Sequence, residues 1–419
     1  MTKANYSTII EVMHPVCCGI DVHKDSLTAS LILSRDKGKE EIEVREFGTF
    51  TDELYKLKEW LLMNDCPVIA MESTGVYWYP VYNILEGYVK VLLVNARHIK
   101  NVPGRKTDIK DSKWIAGLLR HGLLRGSFIP PQEVRDWRDL TRLRRSYTES
   151  LADYKKRVGK LFETANIKVD SVVSELFGRT GRNLMKLLIE RKSNLTLSDI
   201  EYCVRGNLKN KVEELYRSVQ GFFRDHHRYI LKTLLETVDN LEKQIEEFDN
   251  RIKELMKPQE DLLKRLKEVP GIGDITVQAI ISEVGTTLEN FANSSSFVSW
   301  AGLCPGNNES AGKRRSGRSP VRNKPLKTIM VEVAWAAVKK KGSYYKDKYY
   351  RLKARRGAKK AIIAIAHRLL KVIYYIIKYG DKFKDLGEDY LDKQNSTKKI
   401  SILKRKADLL GYELIEKAA

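Results

Sequence analysis

Four carboxylates in the first third of the chain stand where side chains emerge from regular elements. Asp21 closes the apolar run CCGID, Glu72 closes VIAME, and Asp108 and Asp111 lie three apart in KTDIKDSKW. Taken singly, none marks a site, because an Asp after a strand is usually a turn former and a helical Asp is usually solvated. Taken together, a strand Asp, a strand Glu and an Asp-x-x-Asp on a later helix can bring four oxygen donors over one sheet edge. Such a set can hold a pair of divalent cations for phosphodiester chemistry. Asp25 is a weaker candidate, since it falls beyond the strand end and can simply balance Lys24. The plainer alternative is that Asp108 and Asp111 only pair with Lys106, Lys110 and Lys113 along the helix, at about a few tenths of a kcal/mol each.

Ser310 is the second reactive type. It lies in GLCPGNNESAGKRRSGRSP, preceded by Glu309 and followed by Ala311, Gly312, Lys313, Arg314 and Arg315, with Arg318 close behind. Cations around a hydroxyl stabilise alkoxide character and a pentacovalent phosphorus, and small neighbours let a nucleic-acid backbone approach. On the residues alone, a serine in a basic loop more often hydrogen-bonds a phosphate than attacks it.

The elements that must position these groups follow from periodicity. VCCGID, SLTASLILS and EIEVREFG read as strands and DELYKLKEWLLM as a helix; PVIAME is a further strand, YWYPVYNILEG a helix and VKVLLVN another strand. The alternation predicts an α/β sheet domain over 1–128. Ile109, Trp114, Ile115, Leu118 and Leu119 recur at helical spacing, which puts Asp108 and Asp111 on one helical face.

Residues 129–265 read almost entirely as helix after Pro130 and Pro131. Trp137, Leu140, Leu143, Tyr147, Leu151 and Tyr154 mark one packing face, leaving Arg142, Arg144 and Arg145 for phosphates. Leu231, Leu234, Val238, Leu241, Ile245, Phe248 and Ile252 repeat by threes and fours, predicting a coiled-coil arm that pairs either within the chain or across a dimer seam. A C-terminal helical domain, 266–385, opens with EVPGIGDITVQAIISEVG, read as helix, hairpin and helix. Gly271 and Gly273 permit the turn there and expose N–H groups that can grip a phosphate, although a plain helical corner explains them as well. The serine-bearing stretch reads as a flexible loop. After it come two amphipathic helices separated by SYYKDKYYRLKARR, where Tyr344, Tyr345, Tyr349 and Tyr350 with Arg351, Arg355 and Arg356 suit stacked bases or a core equally. The charged tail, 386–419, carries no assigned chemistry.

Composition narrows the partners. Lys and Arg number 76 against 54 Asp and Glu, for a formal charge of +22. Residues 97–160 hold 17 basic and 7 acidic side chains, and residues 301–380 hold 21 and 3, so these two segments carry all of the excess. A polyanionic partner is expected. Cys17, Cys18, Cys66, Cys203 and Cys304 have neither metal-ligand nor disulfide-framework spacing, which fits a reducing cytosol. No signal peptide, P-loop, zinc finger or homeodomain is legible. The most apolar run, AIIAIAHRLLKVIYYIIKYG, is broken by His367, Arg368 and Lys371 and reads as a core helix. His23, His98, His121 and His367 are scattered, as structural histidines would be.

The blocks GIDVHKDSL, MESTGVYWYPVYNILE, RKTDIKDSKWIAGLLRHGLL and GLCPGNNESAGKRRSGR, in this order, resemble the signature blocks of DEDD-type insertion-sequence transposases. The resemblance covers nearly the whole chain and is weakest across the middle helices and the last thirty or so residues. It implies an RNase H/RuvC-like α/β catalytic domain, helical arms that assemble protomers into a dimer or tetramer, and a helical C-terminal domain with a helix-hairpin-helix-like element. Asp21, Glu72, Asp108 and Asp111 would be the metal-binding tetrad, holding two Mg²⁺ ions with Mn²⁺ as a substitute. Ser310 falls on the family's catalytic serine, implying a phosphoserine–DNA intermediate.

The resemblance further implies donor and target DNA as substrates, a structured guide RNA transcribed from the element, and a bacterial cytoplasmic protein working at the nucleoid. Arg105, Lys106, Arg142, Arg144, Arg145, Gly271, Gly273, Lys313, Arg314, Arg315, Arg318, Arg351, Arg355 and Arg356 are the expected nucleic-acid contacts. A basic chain with no base-reading module is compatible with delegating sequence choice to a guide. Two other readings stay open: a structure-specific nuclease that uses the tetrad and water, with Ser310 a phosphate ligand, and a catalytically inactive nucleic-acid scaffold.

Overall fold

A computed structural model of the chain describes residues 11–36, 39–73, 75–95, 111–191, 195–306, 308–310, 313–316, 323–413 and 415. It divides into two compact units, 1–129 and 130–419.

The first unit is a mixed sheet of β1 (Val16–Val22), β2 (Ser26–Asp36), β3 (Lys39–Gly48), β4 (Val68–Glu72) and β5 (Lys90–Val94), in the order β3-β2-β1-β4-β5. The pairs β1/β2 and β2/β3 are antiparallel, whereas β1/β4 and β4/β5 are parallel. This is the RNase H-like arrangement. Parallel central strands need cover on both faces, which is why β1 and β4 read as continuous apolar runs. Cys18, Ile20, Ile69 and Met71 face α1 (Thr51–Met63) and α2 (Trp78–Leu85), where Leu57, Leu61, Val81 and Leu85 complete the core. Cys17, Val68 and Ala70 face the other way, against Ile115, Ala116 and Leu119 of α3 (Asp111–Arg120). The strands and helices expected over 16–94 are present, and of the helix expected to carry Asp108 and Asp111 the described part is Asp111–Arg120, with Asp108 outside the described residues.

Among the described residues, the second unit is helical apart from one small hairpin. Two long helices, α4 (Gln132–Thr164) and α9 (Asp225–Leu255), run antiparallel: Arg144 pairs with Asp249, Tyr147 meets Phe248 edge-on at 5.3 Å, and Lys155 pairs with Glu242. The heptad-like face is thus engaged within the chain, as a helical hairpin. Between these helices the chain builds a compact cluster from α5 (Val169–Val172), α6 (Arg179–Glu190), α7 (Leu197–Cys203) and α8 (Val212–Ser218). Their Val169, Leu184, Met185, Ile200 and Leu215 pack on Val158, Phe162 and Leu231 at the ends of the hairpin.

Then follow α10 (Glu260–Lys267), α11 (Asp274–Val284), α12 (Ser294–Trp300), β6 (Asn308–Ser310), β7 (Lys313–Ser316), α13 (Lys324–Ala337), α14 (Tyr344–Arg356), α15 (Ala358–Tyr379) and α16 (Tyr390–Leu409). The run AIIAIAHRLLKVIYYIIKYG forms most of α15, with Ile365, Leu369, Leu370 and Ile373 fully buried. Among the described residues, no helix is long and apolar enough to cross a membrane.

Candidate active site

Strand periodicity brings Asp21 and Glu72 together. Side chains alternate faces along a strand, so Cys17, Gly19 and Asp21 share the α3 face of β1, and Val68, Ala70 and Glu72 share that face of β4. The parallel register pairs Gly19 with Ala70 and Ile20 with Met71. Its continuation sets Asp21 beside Glu72 at the carboxyl ends of two central strands, a usual place for chemistry in α/β sheets.

A glycine lets α3 close over this edge. A methyl group on Gly19 would lie 2.9 Å from the Ala116 Cα and closer still to the Ser112 carbonyl oxygen and the Ala116 nitrogen. The helix backbone therefore rests directly on β1. Buried Ser30 and Ser112 hydrogen-bond through their hydroxyls at 2.9 Å, fixing how far the helix slides along the sheet. Asp111, next to Ser112, occupies the first turn of the same helix.

The electrostatics register this convergence. Burial of its carboxyl holds the Asp21 pKa above the usual aspartate range; Asp111 and Glu72 push the same way, and His23 opposes them. The His23 Nε2 lies 3.2 Å from the Asp21 Oδ2. Read as one of several scattered histidines, His23 gave no sign of this contact beyond its place two residues after Asp21. Among the described residues no trio of His, Cys, Asp or Glu stands close enough to hold one metal ion, and Asp108 lies outside them. The chemistry of Asp21, Glu72 and Asp111, as distinct from their spacing, is of the kind a hard divalent cation takes. The set offers only carboxylate oxygens, and their mutual repulsion at Asp21 is what positive charge relieves. The cysteines at the far ends of β1 and β4 offer no reactive thiol, since burial pushes Cys17 up to about 12 and Cys66 up to about 11.

Ser310 ends β6 and pairs with Lys313 in β7, with Glu309 opposite Arg314 and a register shift after Asn308. The stretch expected as a flexible loop thus contains a two-stranded hairpin. Its lack of an apolar alternation concealed it, because a hairpin of this size contributes no core face. The side chains of Ser310, Lys313, Arg314 and Arg315, and all of Arg318, Arg105 and Lys106, lie outside the described part of the structure.

Several expected phosphate contacts are engaged otherwise. Arg142 forms a two-pronged pair with buried Glu283 at 2.8 and 3.0 Å. Arg144 does the same with Asp249, and Arg145 bridges Glu149 and Glu332, each at 3.1 Å. Helical spacing correctly set these arginines off the apolar stripe of α4, yet could not show that acids on α9, α11 and α13 stand opposite. Arg351 likewise pairs with Asp347 and Asp392, at 2.8 and 2.6 Å.

Tyr344, Tyr345 and Tyr349 are buried, so the core claims them. Tyr350 remains exposed, with Lys353 Nζ 5.7 Å from its ring centre and exposed Arg355 and Arg356 at the end of the same helix. Gly271 has a φ of +88°, and a methyl there would meet the Val333 carbonyl at 2.5 Å, so this glycine serves packing against α13. Gly273 caps α11 in open space.

Comparison with known families agrees with the fold and the acid order. Residues 18–167 match the model of the DEDD, IS110-type transposases, and residues 263–351 match that of the IS116/IS110/IS902 transposase family. A comparison with curated proteins found no match. The two matched regions together span more than half of the sequence, and with the acid-bearing RNase H-like sheet they lead to one conclusion: the chain belongs to the IS110-type family of insertion-sequence transposases, enzymes that act on DNA.

Proposed function

We propose that this transposase excises and integrates its element by Mg²⁺-dependent strand cleavage in which Ser310 is the nucleophile, guided by an RNA that the element encodes. The observation that carries the metal-dependent part is the convergence of Asp21, Glu72 and Asp111 on one sheet edge, with Asp21 held protonation-prone by burial and by its two neighbours. Asp108 would complete the set. A pair of Mg²⁺ ions held there would polarise the scissile phosphate and offset the charge that develops on the attacking and leaving oxygens.

The chain's own contribution is nucleophile and cations. The Ser310 Oγ forms a bond to phosphorus as its proton departs, and the P–O bond to the leaving strand breaks, releasing that strand as a hydroxyl. The phosphoserine ester keeps the bond energy, so a hydroxyl on a new strand can reverse the step without ATP. Lys313, Arg314 and Arg315, on the strand paired with Ser310, stabilise the anionic phosphorus. The guide RNA is supported by the charge of +22 on a chain without a base-reading module. Exposed Tyr350, Arg355 and Arg356 offer a stacking and cationic surface for it.

The test is incubation of the protein with Mg²⁺, labelled DNA carrying the element's junction and RNA from its flanking non-coding segment, then denaturing electrophoresis. A protein-linked DNA band present for wild type and absent for Ser310→Ala supports the serine route. Free cleaved DNA from both proteins would instead make water the nucleophile.

A further inference from the structure

Described residues flank the segment that bears Ser310 on both sides, within the second unit. On entry, Ala301 and Leu303 are buried and the Leu303 N–H donates to the Val298 carbonyl at 3.2 Å. On exit, Asn323 caps α13: its Oδ1 accepts from the Leu326 N–H at 3.0 Å. The other end of the same side chain does something a cap does not need. Asn323 Nδ2 donates to the Glu283 Oε2 at 3.0 Å, and Glu283 is only 2% exposed.

Glu283 is the centre of a charged hub. Arg142 of α4 grips both of its oxygens. Arg138, one turn earlier, lies 3.6 Å from the carboxylate and donates to the Ser282 and Glu283 carbonyls at 3.2 and 2.7 Å, closing the end of α11. A buried carboxylate is tolerated where it is paired and its remaining lone pairs are satisfied. Here the partner that completes it is the residue where the serine-bearing segment returns to a helix.

We infer that Glu283 is a positioning residue for strand transfer, acting through Asn323 to fix where the Ser310 hairpin is rooted between α11, α4 and α13. The inference rests on the serine reading above. A plain stabilising ion pair needs only Glu283 and Arg142; the Asn323 contact links that pair to the first described residue after the serine-bearing segment. Because nucleophilic attack depends on geometry at the scale of an ångström, loosening this root slows the covalent step more than it weakens DNA binding.

The experiment exchanges the two groups. Asp caps a helix as well as Asn does, so Asn323→Asp keeps the α13 cap while setting two carboxylates against each other. The double variant Glu283→Gln, Asn323→Asp restores the donor and acceptor between the two side chains with reversed polarity and unchanged total charge, at the cost of one of the two oxygens that Arg142 grips. Formation of the protein-linked DNA band at saturating DNA, DNA affinity and thermal melting are measured for both, with Ser310→Ala as the control. At saturating DNA, Asn323→Asp is expected to form the band about tenfold more slowly or worse, with affinity within about twofold of wild type. The exchanged pair, which has one acceptor fewer for Arg142, is expected to recover about threefold or more of the rate lost by Asn323→Asp.

Full-rate capture by Asn323→Asp, a loss of binding equal to the loss of capture, or an exchanged pair as slow as the single variant would each overturn the inference. Absence of a Ser310-dependent band in wild type would be seen in the same gel and would remove the serine reading, and this role with it.

Discussion

At the carboxylate edge the backbone of α3 rests on β1 at Gly19, and Gly19→Ala tests whether this approach sets the site. The added methyl would sit 2.9 Å from the Ala116 Cα and nearer to two backbone atoms of the helix, whereas ordinary contact begins at 3.4 Å. None of these atoms belongs to a flexible side chain that could swing aside. The helix must therefore retreat from the sheet by roughly 1 Å, because a close-packed interior has no slack to absorb the methyl. Overpacking of this kind costs about 1–3 kcal/mol. For a unit of 129 residues that lowers Tm by about 3–10 °C. Asp111 rides on the same helix, and a displacement near 1 Å costs on the order of 100-fold in rate.

The assay is the initial rate of divalent-metal-dependent strand cleavage below the new Tm, with DNA affinity measured in parallel and expected to stay near wild type. Gly117→Ala is the internal control, since it lies on the same helix with nothing within 4 Å of the new methyl. It should be neutral, or stabilising by about 0.5–1 kcal/mol. Wild-type cleavage by Gly19→Ala, or equal loss in Gly117→Ala, would refute the account.

Asp111→Asn and Glu72→Gln should each reduce cleavage by at least about 100-fold while leaving DNA affinity largely intact; loss of binding in step with cleavage would remove them from the chemistry. In chelator, Asp21→Asn should raise Tm at neutral pH. The Asp21 pKa is raised in the folded state, so its stabilising contribution is complete below the ordinary aspartate value of about 3.9 and is lost as pH rises through the folded value. The gain from Asn should therefore vanish on acidification, and a variant less stable than wild type at pH 7 would contradict the crowding of carboxylates. Arg144→Ala should lower stability by about 1–2 kcal/mol through loss of the Asp249 pair. The slope of log affinity against log salt should not change, because Asp249 already engages the Arg144 guanidinium; a shallower slope would return it to the nucleic-acid surface.

Much of the first unit could be read from sequence because both of its periodicities are local. The runs CCGID and VIAME read as strands from their apolar residues alone, and each ends on its acid, which already put Asp21 and Glu72 at strand ends. Resemblance to a transposase family rested on short blocks whose order survives in one dimension. What only tertiary structure decided was every question that needs a partner distant in sequence. The need for glycine at position 19 appears only when α3, more than ninety residues later, lies on it. Arg142 and Arg144 are basic residues on a helix in any sequence reading, yet Glu283 and Asp249 consume their charge. Tyr344, Tyr345 and Tyr349 went to the core because folding buries aromatic area wherever the neighbouring helices leave room. Sequence carries what each residue can do and how it repeats along an element; which opposite charge or backbone meets it is a property of the packed chain.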